Sequence, residues 1–86
     1  MNKLFEKWAK VKERHSDRIV LVRASVFYIT FDKDAEKLHT ILGLELNKAK
    51  KANDGYKYTA HFLHFKLDEM LSKAIANGER FCIADK

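Results

Sequence analysis

Phe27, Ile29 and Phe31 alternate along the aromatic, β-branched segment Val26 to Phe31. Side chains two apart on a strand share a face, so the three form one apolar row. Such a row is either buried core or a face that docks on a protein partner or a second copy of the chain. Lysines carry a second chemistry. Lys48, Lys50 and Lys51 open the polar stretch KAKKANDGYK, and Lys57 closes it. Asn53-Asp54-Gly55 is a tight-turn signal, so the stretch reads as a hairpin loop with a basic tip. Lysines on such a tip suit phosphate contacts, which set affinity and position without reading sequence. The alternative is an ordinary solvated loop.

The remaining reactive side chains form no constellation. His61 and His64 are three apart in an expected strand and face opposite sides. His39 falls on a helix and His15 at a helix end, and no His/Cys spacing fits a zinc site. No metal is expected. A Gly-rich phosphate loop closing on Lys-Ser/Thr is absent, and Ser16, Ser25 and Ser72 stand near no recognisable base. The expectation is a non-enzymatic protein without cofactor. The single cysteine, Cys82, lies in the apolar run Phe81-Cys82-Ile83-Ala84, which suits a buried, reduced thiol.

Composition bounds the class. The 86 residues are enough for one small domain, residues 1–86. The charged fraction of 34% beside 47% hydrophobic residues is that of a soluble globular chain. With no proline and three glycines, long flexible linkers are not expected. No apolar run approaches the ~20 residues of a membrane span, and the charged amino terminus MNKLFEKWAKVKERH lacks the apolar segment of a secretory signal. A cytoplasmic protein with no membrane partner is expected. Seventeen Lys and Arg against twelve Asp and Glu give +5, which is compatible with a polyanion partner.

The elements that must position these residues are legible in the periodicity. Asn2 to His15 reads as a helix, with Leu4, Phe5, Trp8 and Val11 at helical spacing. Lys3, Lys7, Lys10, Lys12 and Arg14 are read as spread around it, a solvated face. Ile19 to Arg23 is a strand buried on both faces, and Ala24-Ser25 breaks it. Val26 to Phe31 is the second strand. Asp32 is placed to cap the next helix, with Asp34 and Glu36 near its positive end. Ala35, Leu38, Ile41 and Leu42 form that helix's inner face, and Gly43 stops it. Leu44 to Asn47 is a short strand, and Tyr56 to Phe65 another. Leu67, Met70, Leu71, Ala74 and Ile75 give the stripe of a third helix. Asn77-Gly78 ends it, and Arg80 to Ala84 closes the chain as a strand. The order α-β-β-α-β-β-α-β fits an α+β domain, one sheet covered by helices.

The stretch IVLVRASVFYITF followed by DKDAEKLHTILGLELNK resembles the amino-terminal mismatch-recognition domain of the MutS family of DNA mismatch-repair proteins. There a Phe-x-Glu motif lies between a strand ending in Arg and a helix opening with Asp-Ala. Leu67 to Lys86, LDEMLSKAIANGERFCIADK, resembles that domain's last helix, Gly turn and closing strand. The resemblance covers most of the chain and implies a single mixed sheet with three helices; the chain is expected to be such a domain, free-standing. It implies double-stranded DNA as partner, with Phe27 as the aromatic that stacks on a mispaired base from the minor groove. It matches Arg23 to a family Arg, for which a structural ion pair is expected. Asn47-Lys48 matches the start of a Thr-Lys-Arg strand end close to the DNA backbone.

The sequence departs from the family pattern where mismatches are read. The family Glu that hydrogen-bonds the displaced base is replaced by Ile29, which can neither donate nor accept. Ser25-Val26 stand where the family has Gly-Asp, and the Gly permits an unusual backbone that Ser25 is not expected to reproduce. His61 replaces the Gly of a Met-Ala-Gly segment. The expectation is duplex binding, weak or structure-preferring, with impaired mismatch specificity.

Overall fold

A computed structural model describes residues 3–50 and 55–84. Helix α1 (Lys3–Arg14) leads into strand β1 (Ile19–Ala24) and strand β2 (Phe27–Phe31). Helix α2 (Asp32–Leu42) follows, then β3 (Asn47–Lys48) and β4 (Tyr58–Leu63). A 3-10 turn (His64–Lys66), helix α3 (Leu67–Ala76) and strand β5 (Phe81–Ala84) complete the order. The strands form one mixed sheet in the order β3-β4-β2-β1-β5. Only the β1–β5 pair is parallel. This is the expected α+β fold with three helices around a single sheet.

Alternation along the strands divides the core in two. Ile19, Leu21, Tyr28 and Phe62 pack with Leu38 of α2 and Met70 of α3 on one face. Val20, Val22, Phe31 and Ala84 pack with Trp8 of α1 on the other. Ile19 to Val22 are fully buried on both sides, as their unbroken apolar run requires. Phe5, Trp8 and Phe31 meet ring to ring, with centroids 5.4 to 5.8 Å apart. Cys82 is a free, half-buried thiol packed against this second cluster, less enclosed than expected because β5 is an edge strand.

The polar groups inside the sheet are matched where β2 turns away into α2. The β1–β2 register runs from Val22–Ile29 to Ala24–Phe27, leaving Val20 without a strand partner on that side. Two side chains take over. The Val20 N–H donates to Asp34 Oδ2 at 3.0 Å, and the Thr30 hydroxyl donates to the Val20 carbonyl at 2.7 Å. Lys12 then donates to Asp34 Oδ1 at 2.8 Å and to the Arg18 carbonyl at 2.6 Å. Asp34 thus lies in the first turn of α2, near its positive end as expected, and is buried there. Trp8 Nε1 is buried with no hydrogen-bond partner among the described residues.

Three local expectations are corrected. Asp32 does not cap α2. It is the helix's first residue, at φ 48°, and its Oδ1 accepts the N–H groups of Lys57 and Tyr58 at 2.7 and 3.2 Å. Leu44 is not in a strand; it packs against the core, and β3 is only Asn47–Lys48. Ile75 is 62% exposed. The α3 stripe centres on buried Met70 and Ala74, and Ile75 lies about 100° round from Ala74. Both helix stops hold. Gly43 sits at φ 72° and donates to the His39 carbonyl. At the end of α3, Gly78 donates to Ile75 O and Glu79 to Ala74 O, the paired bonds of a Schellman motif.

Candidate nucleic-acid interface

Phe27 stands at the rim of the sheet and is 37% exposed. It is the first residue of β2, just after the two-residue turn Ser25-Val26 that joins it to β1. Ser25 has φ 59°, while Val26 does not share the positive φ. That is the pattern of a type II′ hairpin turn. Ser25 therefore does adopt the left-handed backbone for which a glycine is the usual choice, because the two-residue connection demands it. Phe27 meets His61 edge to face at 5.0 Å. Across from it on β4 lies Leu63, and across from Ile29 lies His61.

The row of Phe27, Ile29 and Phe31 is graded rather than uniform. Phe31 is fully buried under α1, Ile29 is half-buried, and Phe27 is exposed. Of the two readings of the row, buried core holds at Phe31, which α1 covers, and an exposed face is left only toward Phe27. Exposed apolar area near Phe27 comes from the neighbouring turns. Val26 accepts the N–H of His64 at 2.8 Å, and both Val26 and Phe65 are exposed.

Arg23 makes no ion pair among the described residues. Its Nε donates to the Ser25 carbonyl at 2.7 Å and its guanidinium lies 5.5 Å from the Tyr28 ring centre. It braces the turn that carries Phe27, a role different from the ion pair expected.

The lysine tip lies elsewhere. Lys48 is exposed and pairs with Tyr58 at the start of β4, whereas Phe27 pairs with Leu63 at its end. Tyr58 is in phase with Ala60 and Phe62, so Lys48 leaves the sheet on the α2–α3 side, opposite to Phe27. Lys50 and Lys57 are exposed, and Ala49 N–H to Lys57 O at 2.8 Å closes the base of the loop. Lys51 and the Asn53-Asp54 part of the turn lie outside the described residues. Five strand steps separate the two features, about 17 Å, so they do not form one compact site.

Sequence reading missed the basic side of α1. Lys3, Lys7, Lys10 and Arg14 recur at i, i+4, i+7 and i+11, which on a helix is one stripe. Only Lys12 departs from it, turning inward to Asp34. The reading of these residues as spread around the helix is corrected by the same 3.6-residue period that located its apolar side.

Among the described residues no group of three or more His, Cys, Asp or Glu could hold a metal ion. No described helix is long and apolar enough to cross a membrane.

Residues 2–86 match the family model MutS domain I. The chain is 34% identical over 83 residues to the DNA mismatch repair protein MutS of Porphyromonas gingivalis, covering 96% of this chain and 9% of that protein. It is 35% identical to the MutS of Salinibacter ruber, with the same coverage. With the MutS of Flavobacterium johnsoniae it shares 31% identity over 96% of its length and 10% of the relative's. The chain thus spans about a tenth of the length of the curated relatives it matches.

Proposed function

Because the chain belongs to the MutS domain I family, we propose that it is a non-catalytic module that binds duplex DNA with little mismatch preference, Phe27 acting as its wedge. The observation that carries this reading is the exposure of Phe27 at the sheet rim on a braced two-residue turn. An aromatic held there can enter between base steps, unstacking them and kinking the duplex. A mismatch lowers the cost of that entry. Ile29 follows it on the same face and offers no hydrogen bond to a displaced base, so the wedge discriminates by unstacking cost alone.

The exposed lysines Lys48, Lys50 and Lys57, with Lys51 beside them in the sequence, belong to this proposal as phosphate contacts. A separation of about 17 Å along β4 corresponds to roughly five base pairs at ~3.4 Å each. Because Lys48 leaves the sheet on the opposite face from Phe27, the tip contributes in this reading at the margin of the duplex rather than beside the wedge. Affinity should be modest and fall steeply with salt.

A second reading is a docking surface for a protein partner or a second copy of the chain. The exposed trio Val26, Phe27 and Phe65 favours it. The two readings separate in one experiment. Fluorescence anisotropy of labelled matched and mismatched duplexes is measured at low salt against wild type and Phe27→Ala, with the oligomeric state followed by light scattering. Salt-sensitive binding weakened by Phe27→Ala supports the DNA reading. Absence of duplex binding together with a Phe27-dependent dimer supports the docking reading.

A further inference from the structure

We infer that the basic stripe of α1, formed by Lys3, Lys7, Lys10 and Arg14, is a phosphate-contacting ridge for the same duplex that Phe27 enters. The inference rests on the DNA reading and gives it a different electrostatic footing from the loop lysines.

Phe31 and Phe27 are four apart on β2 and share a face. Phe31 lies against Phe5 and Trp8 of α1, so α1 and Phe27 stand on the same side of the sheet. Lys48 leaves on the other side. A duplex approaching Phe27 therefore meets α1 before it meets Lys48.

At ~100° per residue the four basic side chains fall within about 60° of one another. Lys7, Lys10 and Arg14 line a shallow groove of about 190 Å³ whose apolar wall is Val11. Val11 packs against the same core cluster as Ile29, so the groove and the half-buried part of the Phe27 row lie on one side of the sheet. Among the described residues none of the four is in an ion pair, whereas Lys12, Lys37 and Lys73 are neutralised by Asp34, Glu79 and Glu69. Glu6 and Glu13 occupy the adjoining strip of the helix and leave the stripe itself wholly basic. From Lys3 to Arg14 the helix rises about 16 Å, the axial run of roughly five base pairs. A rigid row of unpaired cations of that length is complementary to a phosphodiester backbone. The helix is held in place by Trp8 in the core and, one turn on along the same face, by Lys12 on Asp34.

The test compares salt slopes for one duplex across three proteins. The stripe variant carries Lys7→Ala, Lys10→Ala and Arg14→Ala. The control carries Lys33→Ala, Lys37→Ala and Lys73→Ala and removes the same charge from α2 and α3. Alanine favours helix at all six positions, and melting curves verify folding. Each lost phosphate contact removes about 0.9 from the log–log slope. The stripe variant should lose up to ~2.7 units, equally for matched and mismatched duplexes, and the control almost none. An unchanged slope in the stripe variant, with wild type binding, overturns the ridge and leaves the DNA reading standing. Equal loss in both variants also overturns it, since attraction would then follow net charge alone. No duplex binding by wild type at low salt overturns both.

Discussion

The Lys12 ammonium stands 2.8 Å from a carboxylate oxygen of Asp34, twenty-two residues away in the chain, and this contact ties α1 to the start of α2. Asp34 uses its other oxygen on the Val20 N–H. One buried carboxylate thus joins a helix, a strand end and a second helix.

Removing that carboxylate leaves the Lys12 ammonium with only the Arg18 carbonyl and the buried Val20 N–H without a partner. Asp34→Ala should destabilise the fold by about 3 kcal/mol, the lower end for a broken buried pair because Lys12 is partly exposed. Lys12→Met should cost less, since Asp34 keeps the Val20 bond. Urea denaturation of the two variants checks the order. Equal, small losses would show that the pair is not a structural tie.

Asp32 organises the return of the lysine loop through its two backbone contacts from Lys57 and Tyr58. Asp32→Ala removes the one oxygen that accepts both N–H groups and leaves a residue with a β-carbon at positive φ without a polar side chain to support it. A loss of about 1–2 kcal/mol is expected, and Asp32→Asn should recover most of it. Hydrogen exchange at the Lys57 and Tyr58 amides should rise in the alanine variant and stay near wild type in the asparagine variant.

The loop lysines predict a measurable salt effect of their own. If Lys48, Lys50 and Lys51 each touch a phosphate, changing all three to Ala flattens the slope by up to ~3 units. Lys48 faces away from Phe27, so a partial effect is expected, smaller than that of the α1 stripe. An unchanged slope would remove the loop from the DNA-binding surface.

Mismatch preference should be slight in wild type and should rise in Ile29→Glu. A hydrogen bond to a charged group contributes ~1.5–3 kcal/mol, one to two orders of magnitude in discrimination. Ile29 is only half-buried and faces His61 across the strand pair, so a glutamate there can reach solvent and a basic neighbour. The variant should fold, with a modest loss in melting temperature. Phe27→Ala should abolish whatever preference exists. Strong discrimination by wild type that survives Phe27→Ala would refute this account of the site.

The sequence determined the elements because each rests on local physics. Period-3.6 and period-2 patterns located the helices and strands, and Gly43 and Asn77-Gly78 stopped α2 and α3 where left-handed backbone was needed. The order of residues around Phe27 was also enough to reveal the family, since that similarity is carried by the linear pattern itself. The α1 stripe was misread as spread around the helix, although the spacing of Lys3, Lys7, Lys10 and Arg14 needs only the helical period.

Burial and orientation were decided by tertiary contacts. Phe27 and Phe31 have the same side chain and the same strand face, yet one is exposed and the other buried. The difference is that α1, at the amino-terminal end of the chain, packs over one and stops short of the other. Asp32 and Asp34 both looked like helix-terminus acids. Their real partners, the amides of the β4 entry and the Val20–Lys12 pair, are supplied by segments distant in the chain. The distance between Phe27 and the lysine tip also follows from strand register, which only the paired β2, β3 and β4 define.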